Sequence, residues 1–210
     1  MKKISIILSI IIFSFACTKA DESKSKENKI MSNNLETAIF ASGCFWCTEA
    51  VFEELKGVEN VESGYIGGQV DNPYYEEVCQ GTTGHAEATR IYYNPDIISF
   101  QELLEVFWKT HDPTTLNRQG NDVGTQYRSG IFYVNEDQKE IATEYKNKLT
   151  EADIYESPIV TEITKATKFY VAEEYHQNYY EQNPNQGYCS FVITPKIKKF
   201  RKVFEDKLNK

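Results

Sequence analysis

The chain reads as an α+β domain built on a ferredoxin-like split βαβ core, and three observations predict it. Apolar segments with strand or helix periodicity follow one another in the order strand, helix, strand, strand, helix, strand. Ser99 and Glu102 form a capping box, with Leu103, Leu104, Phe107 and Trp108 on one face of the helix it opens. A length of 210 residues, 40% of them hydrophobic and 13% aromatic, fills one core and argues against disorder.

In chain order, a strand is predicted near 37–42, and a helix over 44–55 from the spacing of Val51, Phe52 and Leu55. A strand near 58–66 runs into a polar loop marked by Gly67, Gly68, Asn72 and Pro73, and the next strand covers 87–93. The capped helix spans 99–109. Pro113, Asn117, Gly120, Asn121 and Gly124 make 112–126 a long loop. A strand at 130–135, a helix at 136–150 and a strand at 159–163 complete the body. Ile197, Phe200, Val203, Phe204 and Leu208 alternate with lysines, so 196–208 is expected as a surface helix docked on the domain. No internal repeat is evident.

The N-terminus is different in kind. Lys2 and Lys3 precede an apolar stretch from Ile4 to Ala16, shorter than the roughly 18 residues that span a bilayer, so residues 1–16 read as a cleaved signal peptide. Ser14, Phe15 and Ala16 lead into Cys17 in the manner of a loose lipobox. This makes lipidation of Cys17 the expectation, and with it a membrane-anchored lipoprotein facing an extracytoplasmic compartment such as the periplasm. Residues 17–36 are Lys, Ser, Glu, Asp and Asn with few apolar partners, a solvated tether. The catalytic domain is then 37–210. No heptad or large apolar patch is evident, and a monomer is expected.

With 23 basic against 31 acidic residues the chain carries a formal charge of −8, which argues against nucleic acid as a partner. Besides Cys17 there are Cys44, Cys47, Cys79 and Cys189. An exported protein can use cysteines as structural bridges, yet a body of this size does not need them to stay folded.

Gly43-Cys44-Phe45-Trp46-Cys47 is the most informative string. It puts Cys44 where a strand meets a helix, and unpaired amides there favour a thiolate, so Cys44 is expected to ionise more readily than a free thiol. Cys47 lies on the same helical face; both are alternatively small buried apolar residues. The C-x-x-C spacing also fits a thioredoxin-like thiol-disulfide oxidoreductase, which would need Cys47 and be indifferent to Glu87. A metal module of Cys44, Cys47, Cys79 and His85 lacks a second C-x-x-C or a histidine pair. A non-catalytic ligand-binding lipoprotein would be indifferent to loss of Cys44.

Three further strings concentrate polar and aromatic residues: Tyr74-Tyr75-Glu76-Glu77-Val78-Cys79, Gly81-Thr82-Thr83-Gly84-His85-Ala86-Glu87 and Gly120-Asn121-Asp122-Val123-Gly124-Thr125-Gln126-Tyr127-Arg128. With the Cys44 string, Tyr175-His176-Gln177 and Gly187-Tyr188-Cys189, they resemble the A-type peptide methionine sulfoxide reductases from about Ile39 to Pro195. The resemblance implies reduction of methionine S-sulfoxide in proteins, and of the free amino acid, to methionine. It implies no metal or organic cofactor, with electrons from a thioredoxin-like dithiol protein.

By the same resemblance Cys44 is the nucleophile that becomes a sulfenic acid, and Phe45 and Trp46 wall the methyl group. Glu87 is the acid for the sulfoxide oxygen, and Tyr75 and Tyr127 hydrogen-bond that oxygen. Asp122 orients substrate or water, and His176 and Tyr179, read as three apart on one helix face, line the groove. Structural roles for His85 and His176 stand beside these. Cys189, in a segment expected to be mobile, matches the resolving cysteine. Cys47 is the alternative resolving thiol, and Cys79 is expected as a buried bystander. Because of the export signal, the donor would be an extracytoplasmic dithiol protein.

Overall fold

The computed structural model describes residues 34–209. The signal peptide, Cys17 and nearly all of the tether lie outside the described residues.

Six strands form one mixed sheet in the order β7-β6-β1-β3-β2-β8: β1 Glu36–Ser42, β2 Val58–Ile66, β3 Ala86–Tyr93, β6 Ser129–Tyr133, β7 Glu162–Lys165 and β8 Tyr170–Val171. Its inner four, β6-β1-β3-β2, are all antiparallel neighbours and give the split βαβ order expected from the sequence. β7 adds in parallel beside β6, and β8 antiparallel beside β2. Arg118–Gln119 (β4) and Asp122–Val123 (β5) make a separate two-stranded hairpin within the 112–126 loop.

Alternation along the strands sends residues to opposite faces. Ala38 and Phe40 of β1, Val61 of β2, Ile91 and Tyr93 of β3 and Ile131 of β6 join the main core. That core is closed by helices α1 Phe45–Phe52, α3 Phe100–Thr110, α4 Glu136–Glu151 and α6 Thr194–Val203. The opposite face holds a smaller cluster of Ile39, Ala41, Ile66, Ala86, Ala88 and Phe132, covered by Ala166 and Phe169. Glu87 and Thr89 therefore face the helices.

The capping box is formed as read: Ser99 Oγ accepts the Glu102 N–H at 3.2 Å, and Glu102 Oε2 accepts the Ser99 N–H at 2.9 Å. Several boundaries move. The helix expected over 44–55 ends at Phe52, and Leu55 instead forms a lone bridge with Leu208. The strand expected at 159–163 begins at Glu162, because the Val160 N–H is taken by Pro113 O of the long loop. The tail helix runs over Thr194–Val203, burying Ile197 and Phe200, and stops before Phe204. The polar loop after β2 contains a short helix, α2 Tyr75–Cys79.

Candidate active site

Gly43 turns the chain from β1 into α1 at φ +92°, and a Cβ there would meet the Gln119 side chain at 2.6 Å, so only glycine fits. Cys44 follows as the residue capping α1 and is buried at 7% exposure. Its carbonyl accepts the Cys47 and Thr48 amides at 3.1 and 3.4 Å. Glu87 of β3, buried at 1%, lies beside it and accepts the Phe45 N–H on Oε2 at 3.0 Å.

Burial drives the Glu87 carboxyl up to about 8, against the pull of the Phe45 amide, and neighbouring Asp122 and Cys47 push the same way. At neutral pH the group is a carboxylic acid. Burial also raises the phenols of Tyr75 and Tyr127, with Glu87 as the next cause in each, so both stay protonated donors.

The two thiols form a hydrogen-bonded buried pair. Burial, then the bond with Cys47, pushes Cys44 up, while the bond from Cys44 brings Cys47 down to about 7. This corrects the expectation for Cys44. The first free amide of α1 is spent on Glu87, and burial outweighs the helix start, so the charge of the pair rests toward Cys47.

Aromatic rings surround the thiols. Phe45, 1% exposed, packs against Tyr65, Tyr75 and His176 with ring centres 5.9, 6.4 and 5.1 Å away. Trp46 is stacked face to face on Tyr179 at 3.7 Å and 6°, and its Nε1–H donates to His176 Nδ1 at 3.1 Å. His176 and Tyr179 do not share a helix face. His176 ends a 3₁₀ turn, Glu174–His176, and Asn178 in the left-handed region at φ +51° separates it from helix α5, Tyr179–Gln182. The turn nonetheless brings both onto Trp46. Burial lowers the His176 pKa, so the ring is neutral, an acceptor for the indole rather than a base.

Asp122, at the tip of the hairpin, accepts the Tyr188 hydroxyl on Oδ2 at 2.6 Å, and the same hydroxyl lies 3.8 Å from Cys47 Sγ. The next residue, Cys189, opens a π-helical turn, Cys189–Ile193, and is fully buried, so it does not sit in the mobile strand expected. The turn packs continuously into α6, which fixes it. Cys79 is the other reversal: it is exposed, because α2 turns Val78 inward and Cys79 outward. His85 is structural, with Nδ1 accepting the Gly68 N–H at 3.0 Å and Nε2 on Val70 O at 2.8 Å.

Cys44, Cys47, Phe45, Trp46, Glu87, Tyr75, Tyr127, Asp122, His176 and Tyr179 thus converge around the start of α1. Several supporting residues were not singled out in the sequence. Glu173 accepts the Tyr65 hydroxyl at 2.8 Å and the Tyr75 N–H at 2.9 Å, and so positions Tyr75. Gln177 clamps both backbone groups of Ser63 and the Ala172 carbonyl at 2.9–3.0 Å. Glu49, buried at 1%, accepts the Tyr179 N–H at 3.3 Å. Gln177 and Tyr188 stand within the sequence strings Tyr175-His176-Gln177 and Gly187-Tyr188-Cys189, without a role of their own there. Among the described residues no group of three or more His, Cys, Asp or Glu is placed to hold a metal ion.

A thiol pair, a protonated buried acid, two phenols and an aromatic wall define a cysteine-based reductase for a small polarised oxygen beside an apolar group. The chain belongs to the peptide methionine sulfoxide reductase family, whose model matches residues 36–208. It is 61% identical over 173 residues to the peptide methionine sulfoxide reductase MsrA 1 of Rhodopirellula baltica, covering 82% of this chain and 89% of that one. Reduced Mxr1 of Saccharomyces cerevisiae has a similar structure, with a TM-score of 0.67 at 34% identity over 74% of this chain and 89% of that one. Methionine sulfoxide reductase A of Corynebacterium diphtheriae gives a TM-score of 0.65 at 38% identity, over 75% and 78%.

Proposed function

We propose that the enzyme reduces methionine S-sulfoxide in oxidised proteins, with Cys44 as the nucleophile and Glu87 as the acid. The observation that carries this is the Glu87 carboxyl, buried, protonated to about pH 8 and bonded to the amide next to Cys44. Substrate sulfur approaches Cys44 with its methyl against Phe45 and Trp46 and its oxygen toward Glu87, Tyr75 and Tyr127. The Cys44 proton passes along the thiol hydrogen bond to Cys47, and the Cys44 sulfur attacks the sulfoxide sulfur.

Glu87 protonates the oxygen as negative charge builds on it, while the two phenols donate to the same atom. Oxygen then transfers to Cys44, the bond between the two sulfurs breaks, and methionine leaves. Cys44 is oxidised by two electrons to a sulfenic acid, and the proton held by Cys47 returns to Glu87. No net proton is consumed.

Cys189 then attacks the Cys44 sulfenic acid, the S–O bond breaks and water leaves, and a thioredoxin-like dithiol protein reduces the resulting Cys44–Cys189 disulfide; Cys47 is the alternative resolving thiol. The leader sequence supports lipidation of Cys17 and an extracytoplasmic, membrane-anchored monomer, with the domain on a solvated tether. A disulfide oxidoreductase using Cys44 and Cys47 is the rival reading, and Glu87 separates the two. Steady-state reduction of each methionine sulfoxide epimer by wild type, Cys44→Ser and Glu87→Gln is the test. Turnover of the S epimer alone, lost in Cys44→Ser and strongly reduced in Glu87→Gln, is expected. Turnover indifferent to Glu87 would contradict the reading.

A further inference from the structure

Trp46 is held on two sides by one segment. Its indole N–H donates to His176 Nδ1 at 3.1 Å, its face lies on Tyr179 at 3.7 Å, and both partners come from the turns over 174–182. Whatever seats that segment therefore decides where the wall for the substrate methyl stands. Gln177 fixes its middle on β2 through both backbone groups of Ser63. The part that carries Tyr179 is seated by a different residue.

Asn178 stands in the left-handed region at φ +51°, so the 3₁₀ turn ends and α5 starts afresh at Tyr179. The Tyr179 N–H is then the first amide of a helix, with no carbonyl of its own helix within reach. Glu49 Oε2 accepts it at 3.3 Å. Glu49 and Trp46 are three apart on α1 and lie on one side of it, so a single helix carries both the indole and the carboxyl that locates the ring stacked on it.

This carboxyl is unfavourable where it stands. Burial raises it to about 7, against the pull of the Asn178 and Tyr179 amides and the Ser63 hydroxyl. An apolar side chain of similar size would fill the same space without that desolvation, and would leave the Tyr179 amide unheld.

We propose that Glu49 is a positioning residue for substrate binding: through the Tyr179 amide it holds the Tyr179 ring against Trp46, and so sets the wall that receives the substrate methyl. The proposal deepens the reductase reading and rests on it. Glu49 touches neither the sulfoxide nor the thiols, so its contribution falls on affinity rather than on the chemical step.

The test is a double-mutant cycle on the full-length enzyme, read as KM and kcat for a peptide carrying methionine S-sulfoxide, with dithiothreitol as reductant. Glu49→Met keeps the core filled and removes the acceptor, whereas Glu49→Gln keeps an acceptor oxygen in place. Glu49→Met should raise KM roughly two- to tenfold, the worth of the aromatic pair it loosens, with kcat close to wild type. Glu49→Gln should keep the wild-type KM. In a Tyr179→Ala background Glu49→Met should add nothing, because the carboxyl acts through that ring.

An unchanged KM in Glu49→Met, a rise that multiplies in full with that of Tyr179→Ala, or an equal rise in Glu49→Gln overturns the proposal, as does a loss confined to kcat. No turnover of the S-sulfoxide by wild type would instead remove the reductase reading beneath it. A cooperative melt confirms that each variant folds, and Glu49→Ala takes the place of Glu49→Met in the cycle if the latter does not. If neither folds, Glu49 is a structural residue and the proposal fails.

Discussion

The Phe45 amide donates to Glu87 Oε2 at 3.0 Å, so the first free N–H of the helix behind Cys44 holds the acid rather than the thiol. The sheet makes this possible, because Glu87 lies opposite Tyr65 on β2, on the face that meets α1. The same bond aims the carboxyl at the space in front of Cys44. It also lowers the Glu87 pKa, but burial exceeds it and the acid stays protonated to about 8.

The pH profile should be a bell. Activity needs the thiol pair ionised, which begins at about 7 on Cys47, and Glu87 protonated, which ends at about 8. Glu87→Gln should lower kcat about 100- to 10,000-fold, the usual worth of a general acid, and remove the fall on the alkaline side. Steady-state kinetics between pH 6 and 9 check both.

Trp46 rests on Tyr179, and that stack should set substrate affinity more than rate. Tyr179→Ala forfeits an aromatic pair worth about 0.5–1.5 kcal/mol, a rise in KM of roughly two- to tenfold, whereas Tyr179→Phe should stay near wild type. KM for a methionine sulfoxide peptide is the readout.

His176 acts as an acceptor. Its Nδ1 holds the Trp46 indole, and burial keeps the ring neutral. His176→Ala should cost about 1–3 kcal/mol of stability by leaving the indole N–H unpaired. The bell-shaped profile should keep both of its limbs. Denaturant unfolding and the pH profile of the variant test the two statements separately.

Stability should fall with rising pH. Burial raises Glu49 to about 7, and Glu53 and Glu87 to about 8, so the folded chain holds protons the unfolded chain releases near 4.5. Their contribution is therefore fully present below about 4.5 and is lost as the pH climbs through those folded values. Melting temperatures from pH 4.5 to 9 should decline, and Glu53→Gln should make the decline shallower.

Local signals carried much of this into the sequence. The Ser99–Glu102 cap, the alternation along β1 to β3 and the strand-to-helix junction at Cys44 each depend on neighbours a few residues away. Glu173 was not legible, because its partners Tyr65 and Tyr75 are about a hundred residues distant and reach it only through β2 and α2. Helix α2 is a single turn held by Tyr74 and Glu77, too short for periodicity to reveal. His176 and Tyr179 have helical spacing in the chain, but the left-handed Asn178 breaks the helix between them. The stretch before Cys189, Asn183 to Gly187, is polar and suggests a mobile segment, while Ile193, Ile197 and Phe200 further on tie its turn into the core.

The most direct test of the mechanism isolates the first chemical step. In a Cys47→Ser, Cys189→Ser double variant no internal thiol in the site can resolve Cys44. One methionine should be released per chain on mixing with the S-sulfoxide, together with a dimedone adduct mapped to Cys44. Methionine release without that adduct, or an adduct without methionine, would contradict a Cys44 sulfenic acid as the intermediate.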